Sequence, residues 1–387
     1  MTLSKFIFWF SLSAIFYSYL GYVLALWLIA LFRSNNPKRL NSSSFPSVSL
    51  LISAYNEEHV IEEKLKNSLK LDYPKEKLEI MVISDASTDQ TDEKVRRFSG
   101  MEVRLLRQQE RKGKTAALNT AVPQASGEII VFSDANSMYD MNAIKNLVKY
   151  FQDPAIGLVT GRTKYVSKHG GSARGSTSLY NQLELLTKRL ESRVGSCVGA
   201  DGAIFAIRKE LYKPLKDYDI NDFVIPLNIV EQGYRGILED KAFCIEETAR
   251  GAVEEFNRQA RITNRTIRAI FNNIALINPI KFPLFSFALI SHKLVRYLLP
   301  FFMINVLLTN CLIITEGFLY SLILVLQVLY YGFVCWGYLA EKTKRGNKLT
   351  SMAYTFSLVS LAVLLGWIKY FSGETYSSWN PERTVDS

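Results

Sequence analysis

Asp134 and Asn136 close the run IIVFSDAN, residues 129–136, in which four apolar or aromatic residues lead straight into a carboxylate. A carboxylate and an amide one residue apart are oxygen donors, the kind Mg2+ and Mn2+ prefer. The same residue types cap helices, so the pair alone leaves two readings open: a cation site or a cap. Three more predicted strands lead into polar residues. Residues 48–53 run into Ala54, Tyr55, Asn56 and Glu57, and residues 79–84 run into Asp85, Ser87 and Asp89. Residues 102–106 lead to Lys112 and Lys114. Asp222 opens an apolar helical pattern of Phe223, Ile225, Leu227 and Ile229. Capping is its ordinary role; taking a proton from an attacking hydroxyl is its chemical one.

The elements that carry these residues alternate. A helical pattern over 57–70 places Val60, Ile61, Leu65 and Leu69 on one face. Residues 88–98 form a second, with Thr88 as its cap, and RKGKTAALNTAV opens a third. Strand and helix in alternation predict an α/β domain whose central sheet is mostly parallel, with helices on both faces and right-handed crossovers. Ligands bind such sheets at the carboxyl ends of the strands, where all four polar ends converge. GKT at 113–115 lacks the glycine a P-loop needs five residues earlier, where Gln108 stands. Lys114 is then either a point-charge contact for phosphate or a solvated lysine. SKHGGSARGSTS (167–178) predicts a loop, and residues 179–193 an amphipathic helix. Asp201 follows in GADG, between two glycines.

Forty-eight per cent of the 387 residues are hydrophobic, unevenly spread. Residues 6–32, 297–315, 317–340 and 349–368 carry no charge. Each is long enough to cross a bilayer, which needs roughly 20 helical residues. The first is longer than a signal peptide and reads as a retained anchor. The formal charge of +10 is concentrated beside these runs, at Arg33, Lys38 and Arg39, at Arg258, Arg261, Arg265 and Arg268, and at Lys342, Lys344, Arg345 and Lys348. Basic flanks mark the cytoplasmic side. The middle of the chain is therefore expected in the cytoplasm and the N-terminus outside. Counting crossings puts the C-terminus outside, against the hint of Lys369. This placement argues for membrane lipid as a partner and against nucleic acid. Cys197, Cys244, Cys311 and Cys335 form no CxxC pair, which argues against a disulfide framework or zinc site.

In this order, SAYNEE (53–58), SDASTDQT (84–91), GKTAALNTA (113–121), SDAN (133–136) and ND (221–222) resemble the membrane-anchored family 2 glycosyltransferases. That group contains cellulose, hyaluronan and poly-N-acetylglucosamine synthases. The resemblance covers about residues 47 to 262 and implies the nucleotide-diphospho-sugar transferase fold called GT-A. It implies nucleotide-sugar contacts at Ala54, Tyr55, Asn56, Glu57, Asp85, Lys114, Asp134 and Asn136, with Asp85 near the uracil. It makes Asp134 and Asn136 the ligands of a divalent metal, Mg2+ or Mn2+, and Asp222 the catalytic base. Asp201, Arg258 and Arg261 fall on the acceptor or diphosphate side.

Two departures qualify it. The second carboxylate of the DxD motif is Asn136. The QxxRW motif of processive synthases is here RQARI, 258–262, with Arg258 for glutamine and Ile262 for tryptophan. One carboxylate with diphosphate and water can still hold Mg2+. The expected activity is inverting transfer from a UDP-sugar to a growing exopolysaccharide at the inner membrane; a single addition to a lipid-linked or glycolipid acceptor is the alternative. A non-catalytic scaffold keeping a nucleotide fold is a third reading. Secretion-complex subunits are further candidate partners. The expected organisation is an anchor (1–34), a cytoplasmic GT-A domain (45–257), interfacial helices (258–292), three membrane helices (293–371) and a tail (372–387).

Overall fold

The computed structural model describes residues 2–33, 35, 45–166, 174–247, 252–343 and 348–376. The first apolar run forms α1 (Leu3–Phe16) and α2 (Tyr22–Phe32), joined by a π-helical turn at Tyr17–Gly21. The alternating segment follows as β1 (Val48–Ala54), α3 (Ile61–Leu69), β2 (Leu78–Ser84), α4 (Thr91–Arg96), β3 (Val103–Arg107), α5 (Lys114–Gln124) and β4 (Ile129–Asp134). Next come β5 (Met138–Tyr139), α6 (Ala143–Val148), β6 (Ile156–Val166), α7 (Arg174–Val194), β7 (Ile204–Arg208), α8 (Asn221–Glu231) and β8 (Arg235–Glu247). The last part holds α9 (Ala252–Asn272), α10 (Pro283–Leu289), α11 (Val295–Tyr297), α12 (Leu299–Ile313), α13 (Phe318–Thr343) and α14 (Lys348–Phe371).

The strands form one sheet in the order β3-β2-β1-β4-β7-β6-β8-β5. β1 pairs parallel with β2 and β4, β2 with β3, and β6 with β8. β4–β7, β6–β7 and β5–β8 are antiparallel. The sheet is mixed, with the parallel half carrying the four polar strand ends. Strands buried on both faces read as continuous apolar runs, and Leu50, Leu51 and Ile52 are fully buried. Alternate residues divide between two cores. Leu50, Ile52, Val82 and Val131 pack under α3 and α6 with Ile61, Leu65, Ile144 and Leu147. Leu51, Met81, Ile130 and Phe132 face the other way, in a cluster that includes Tyr22, Leu26 and Ala30 of α2. Each such side chain contributes about 1.5–3 kcal/mol by burial, so the apolar anchor and the domain share one core.

Three expectations shift. α3 begins at Ile61, not residue 57, because the Glu57 and Glu58 amides donate to Thr91 Oγ1 (2.8 Å) and Asp89 Oδ2 (3.1 Å). Thr88 is no cap: its amide and hydroxyl donate to Asn56 Oδ1, and α4 starts at Thr91. Of the loop expected at 167–178, residues 167–173 lie outside the described residues and 174–178 belong to α7.

Four helical stretches are long and apolar enough to cross a membrane: Leu3–Phe32, Leu299–Glu316, Phe318–Glu341 and Leu349–Phe371. Their contacts bear on where the end of α14 lies. Lys5 and Glu316 form an ion pair at the end remote from the domain. The far end of α14 returns to the domain side instead. Val363 and Trp367 pack on Ile267 of α9, and the Glu374 carbonyl accepts from Arg268 (2.9 Å) and Asn264 (3.3 Å).

Candidate active site

The ends of β1 and β2 are locked together by short polar contacts. Asn56 and Ala86 both adopt left-handed backbone, with φ of 52° and 56°. That strain is offset by bonds from the Asn56 amide to Ser87 Oγ (3.2 Å) and from the Thr88 amide to Asn56 Oδ1 (2.8 Å). Tyr55, just past Ala54, lies under the Arg111 guanidinium at 3.9 Å. The Asp85 carboxylate accepts from the Lys112 and Gly113 amides at 2.9 and 2.8 Å. It therefore fixes the turn that opens α5, whose capping residue Gly113 has φ 89°.

That turn aims Lys114 across the sheet edge, with Nζ 2.5 Å from Asp134 Oδ1. Asp134 caps no helix. It starts a tight turn closed by Ser137 N on Asp134 O (3.3 Å), β5 follows, and α6 begins only at Ala143. Of the two readings the sequence left open for Asp134, the cap is removed. Asn136 lies inside this turn. Lys64, fully buried on α3, donates to the Ser137 carbonyl and lies 4.0 Å from the Tyr139 ring centre. Burial lowers its pKa to about 7, against the pull of Asp134 and Glu246. Ser137 Oγ donates to Glu246, whose carboxyl is raised to about 7, first by burial and then by Asp134.

Asp222 lies in the first turn of α8, without a capping bond. Ala200 N donates to its carbonyl (2.8 Å), and its Oδ1 is buried with no hydrogen-bond partner among the described residues. Burial raises its carboxyl; Lys114 opposes this, Asp134 and Asp201 add to it, and Lys188 opposes it. Lys114 thus acts on both Asp134 and Asp222. Asp201 is occupied by its surroundings, accepting from Thr163 N (2.7 Å), Thr163 Oγ1 (2.8 Å) and Ala203 N (3.2 Å).

Arg258 and Arg261 share α9. Arg258 is held by Glu255 through two bonds of 2.8 and 2.9 Å. Arg265, one turn beyond Arg261, does more for the site. Its guanidinium donates to Tyr218 O (2.9 Å), Thr115 Oγ1 (3.3 Å) and Asp219 O, so α9 grips both α5 and the approach to Asp222. The sequence marked Arg265 only as a basic flank. Lys64 and Glu246 carried no signal of a site role.

The donor set suits a hard divalent cation: carboxylate and amide oxygens, with the Lys114 ammonium standing on Asp134 as a cation already. Asp134 and Asn136 would hold such an ion.

A sheet of this order, with polar strand ends facing one edge, is that of the GT-A fold. The chain superposes on a mannosyltransferase from Pyrobaculum calidifontis, solved in complex with GDP-Man and Mn2+. The TM-score is 0.73 at 23% identity, covering 96% of this chain and 100% of that one. Residues 49–215 match the family described as Glycosyl transferase family 2, and the chain carries a family 2 glycosyltransferase domain. It is 28% identical over 236 residues to a poly-beta-1,6-N-acetyl-D-glucosamine synthase of Staphylococcus aureus (strain COL), covering 59% of this chain and 57% of that protein. It is 29% identical over 219 residues to a Bacillus subtilis (strain 168) protein named "Probable glycosyltransferase YdaM", covering 52% and 51%. The chain thus spans little more than half the length of these curated relatives.

Proposed function

We propose that the chain is an inverting glycosyltransferase of the inner membrane, moving a sugar from a UDP-sugar to a growing exopolysaccharide. One observation carries this: Lys114 bonds Asp134 and also acts on Asp222, so a cationic group and two carboxylates of different character meet at one sheet edge. Asp134 and Asn136 would hold a divalent metal together with the donor diphosphate. A divalent ion there neutralises the charge that develops on the leaving diphosphate. Lys114 moves from Asp134 to a phosphate oxygen when the donor arrives. Asp222 takes the proton of the acceptor hydroxyl; its Oδ1 has no hydrogen-bond partner among the described residues to give up. Attack from the Asp222 side, opposite the diphosphate, inverts the anomeric carbon. Asp85 contributes by fixing the turn that presents Lys114, besides its expected place near the base.

Basic flanks and the anchored core support a cytoplasmic catalytic domain, residues 45–257, held at the bilayer by the apolar helices on either side. The second reading, a single addition to a lipid-linked acceptor, is favoured by Arg258. Its two bonds to Glu255 tie it to its own helix, whereas the processive motif has glutamine there. Nucleoside diphosphate release by the full chain, measured across UDP-sugars and GDP-mannose, tests the activity. GDP-mannose belongs in the panel because the fold's solved neighbour holds it. Labelled product then divides the acceptors: a ladder means polymerisation, one lipid-extractable species a single transfer. No release from any donor overturns the proposal.

A further inference from the structure

Asn136 leaves the cation site one carboxylate short, and the fold brings another to the same turn. β5 and β8 pair antiparallel with Met138 opposite Ile245, so the next residues outward, Ser137 and Glu246, stand opposite each other. The Ser137 hydroxyl donates to Glu246 Oε1, and the Ser137 amide closes the turn on Asp134 O at 3.3 Å. Glu246 is therefore hydrogen-bonded to the last residue of the turn that Asp134 begins and that contains Asn136. Beneath that turn the buried Lys64 ammonium donates to the Ser137 carbonyl and lies over the Tyr139 ring, and among the described residues it forms no ion pair with either acid. One carboxylate begins the turn that contains Asn136 and another is bonded to its last residue, and the ammonium of Lys114 sits on the first.

We propose that Glu246 is the second carboxylate of the divalent-cation site, taking the part that Asn136 does not fill. This rests on the reading that Asp134 holds a metal with the donor diphosphate. The charge agrees: Asp134 and Glu246 supply two negative charges and Asn136 a neutral oxygen, a set that matches Mg2+ or Mn2+ better than a single acid does. Glu246 stands 112 positions beyond Asp134 in the chain, so no local motif announces it.

The test is Mn2+ affinity of the full chain in detergent, read from the free-ion electron paramagnetic resonance signal, with saturating UDP and, in parallel, GDP. Glu246→Gln keeps an oxygen for the Ser137 hydroxyl, so the turn is preserved. It is expected to weaken Mn2+ binding by about tenfold or more. Adding Asn136→Asp to that variant restores the acid within the motif and is expected to return affinity to near the original. Unchanged affinity in Glu246→Gln overturns the proposal, as does a loss that Asn136→Asp does not restore. An original chain that binds no Mn2+ with either nucleotide overturns the metal reading itself, and the proposal with it.

Discussion

Gly202 lies against the carboxylate of Asp222: a Cβ built on Gly202 would stand 2.7 Å from Asp222 Oδ2 and 3.2 Å from its Cγ. No side chain fits there without moving the carboxylate. Gly202→Ala is expected to lower kcat by about tenfold or more, since a shift near 1 Å is costly in a positioned base. Overpacking of this kind costs roughly 1–3 kcal/mol of stability. Steady-state kinetics beside a thermal melt in detergent would separate the two. An unchanged kcat would mean that the carboxylate need not stand where it does.

On the proposed mechanism the Lys114–Asp134 ion pair competes with a metal for Asp134 until the donor arrives, and Lys114 then contacts the donor. Lys114→Met should therefore have opposite effects on two affinities. Mn2+ binding without nucleotide is expected to tighten, and the donor KM to rise by about tenfold, the order of one lost charge-assisted contact. Calorimetric titration with Mn2+ in the absence of nucleotide reads the first, and steady-state kinetics over donor concentration the second. Weakening of both together contradicts the competition.

Burial raises the Asp222 carboxyl, and Lys188 is among the charges that hold it down. The base works only when deprotonated. The acid limb of kcat/KM should therefore lie above the ordinary carboxylate range and move higher still in Lys188→Met. A pH profile from about 4 to 8 reads this shift. A limb that moves down in the variant reverses the sign and excludes Asp222 as its source.

The contacts of Glu374 with Arg268 and Asn264 put the end of α14 on the domain side, remote from the Lys5–Glu316 pair. With the N-terminus outside, as the basic flanks predict, an odd number of the four apolar stretches is expected to cross. A protease-cleavable tag after Ser387 is expected to be protected in intact cells. Cleavage from outside would restore four crossings.

The strand ends were legible because a buried parallel strand must be apolar and its ligand-facing end polar; Ala54, Asp85 and Asp134 fall where those two demands meet. Asp134 also read as a cap, and only the turn into β5 decides between the roles. Asp85 read as a nucleotide contact, and the sequence gives no sign that it grips the Lys112 and Gly113 amides as well. Lys64 sits in IEEKLKNSL, where a lysine looks solvated; its burial depends on the Ser137 carbonyl, 73 residues away. Arg265 and Glu246 come from α9 and β8, elements whose approach to the site is set by tertiary packing. The return of α14 was hidden because span length and hydropathy carry no information about which helix packs on which.

The most direct measurement compares the full chain with Asp222→Asn for transfer of labelled sugar from the donor identified in the panel, together with donor binding by each. Asparagine matches aspartate in shape but cannot take the acceptor proton. Transfer is expected to fall by about a hundredfold or more, within the range that general-base catalysis supplies, while donor affinity changes little. Full transfer by Asp222→Asn would contradict the assignment of Asp222 as the base.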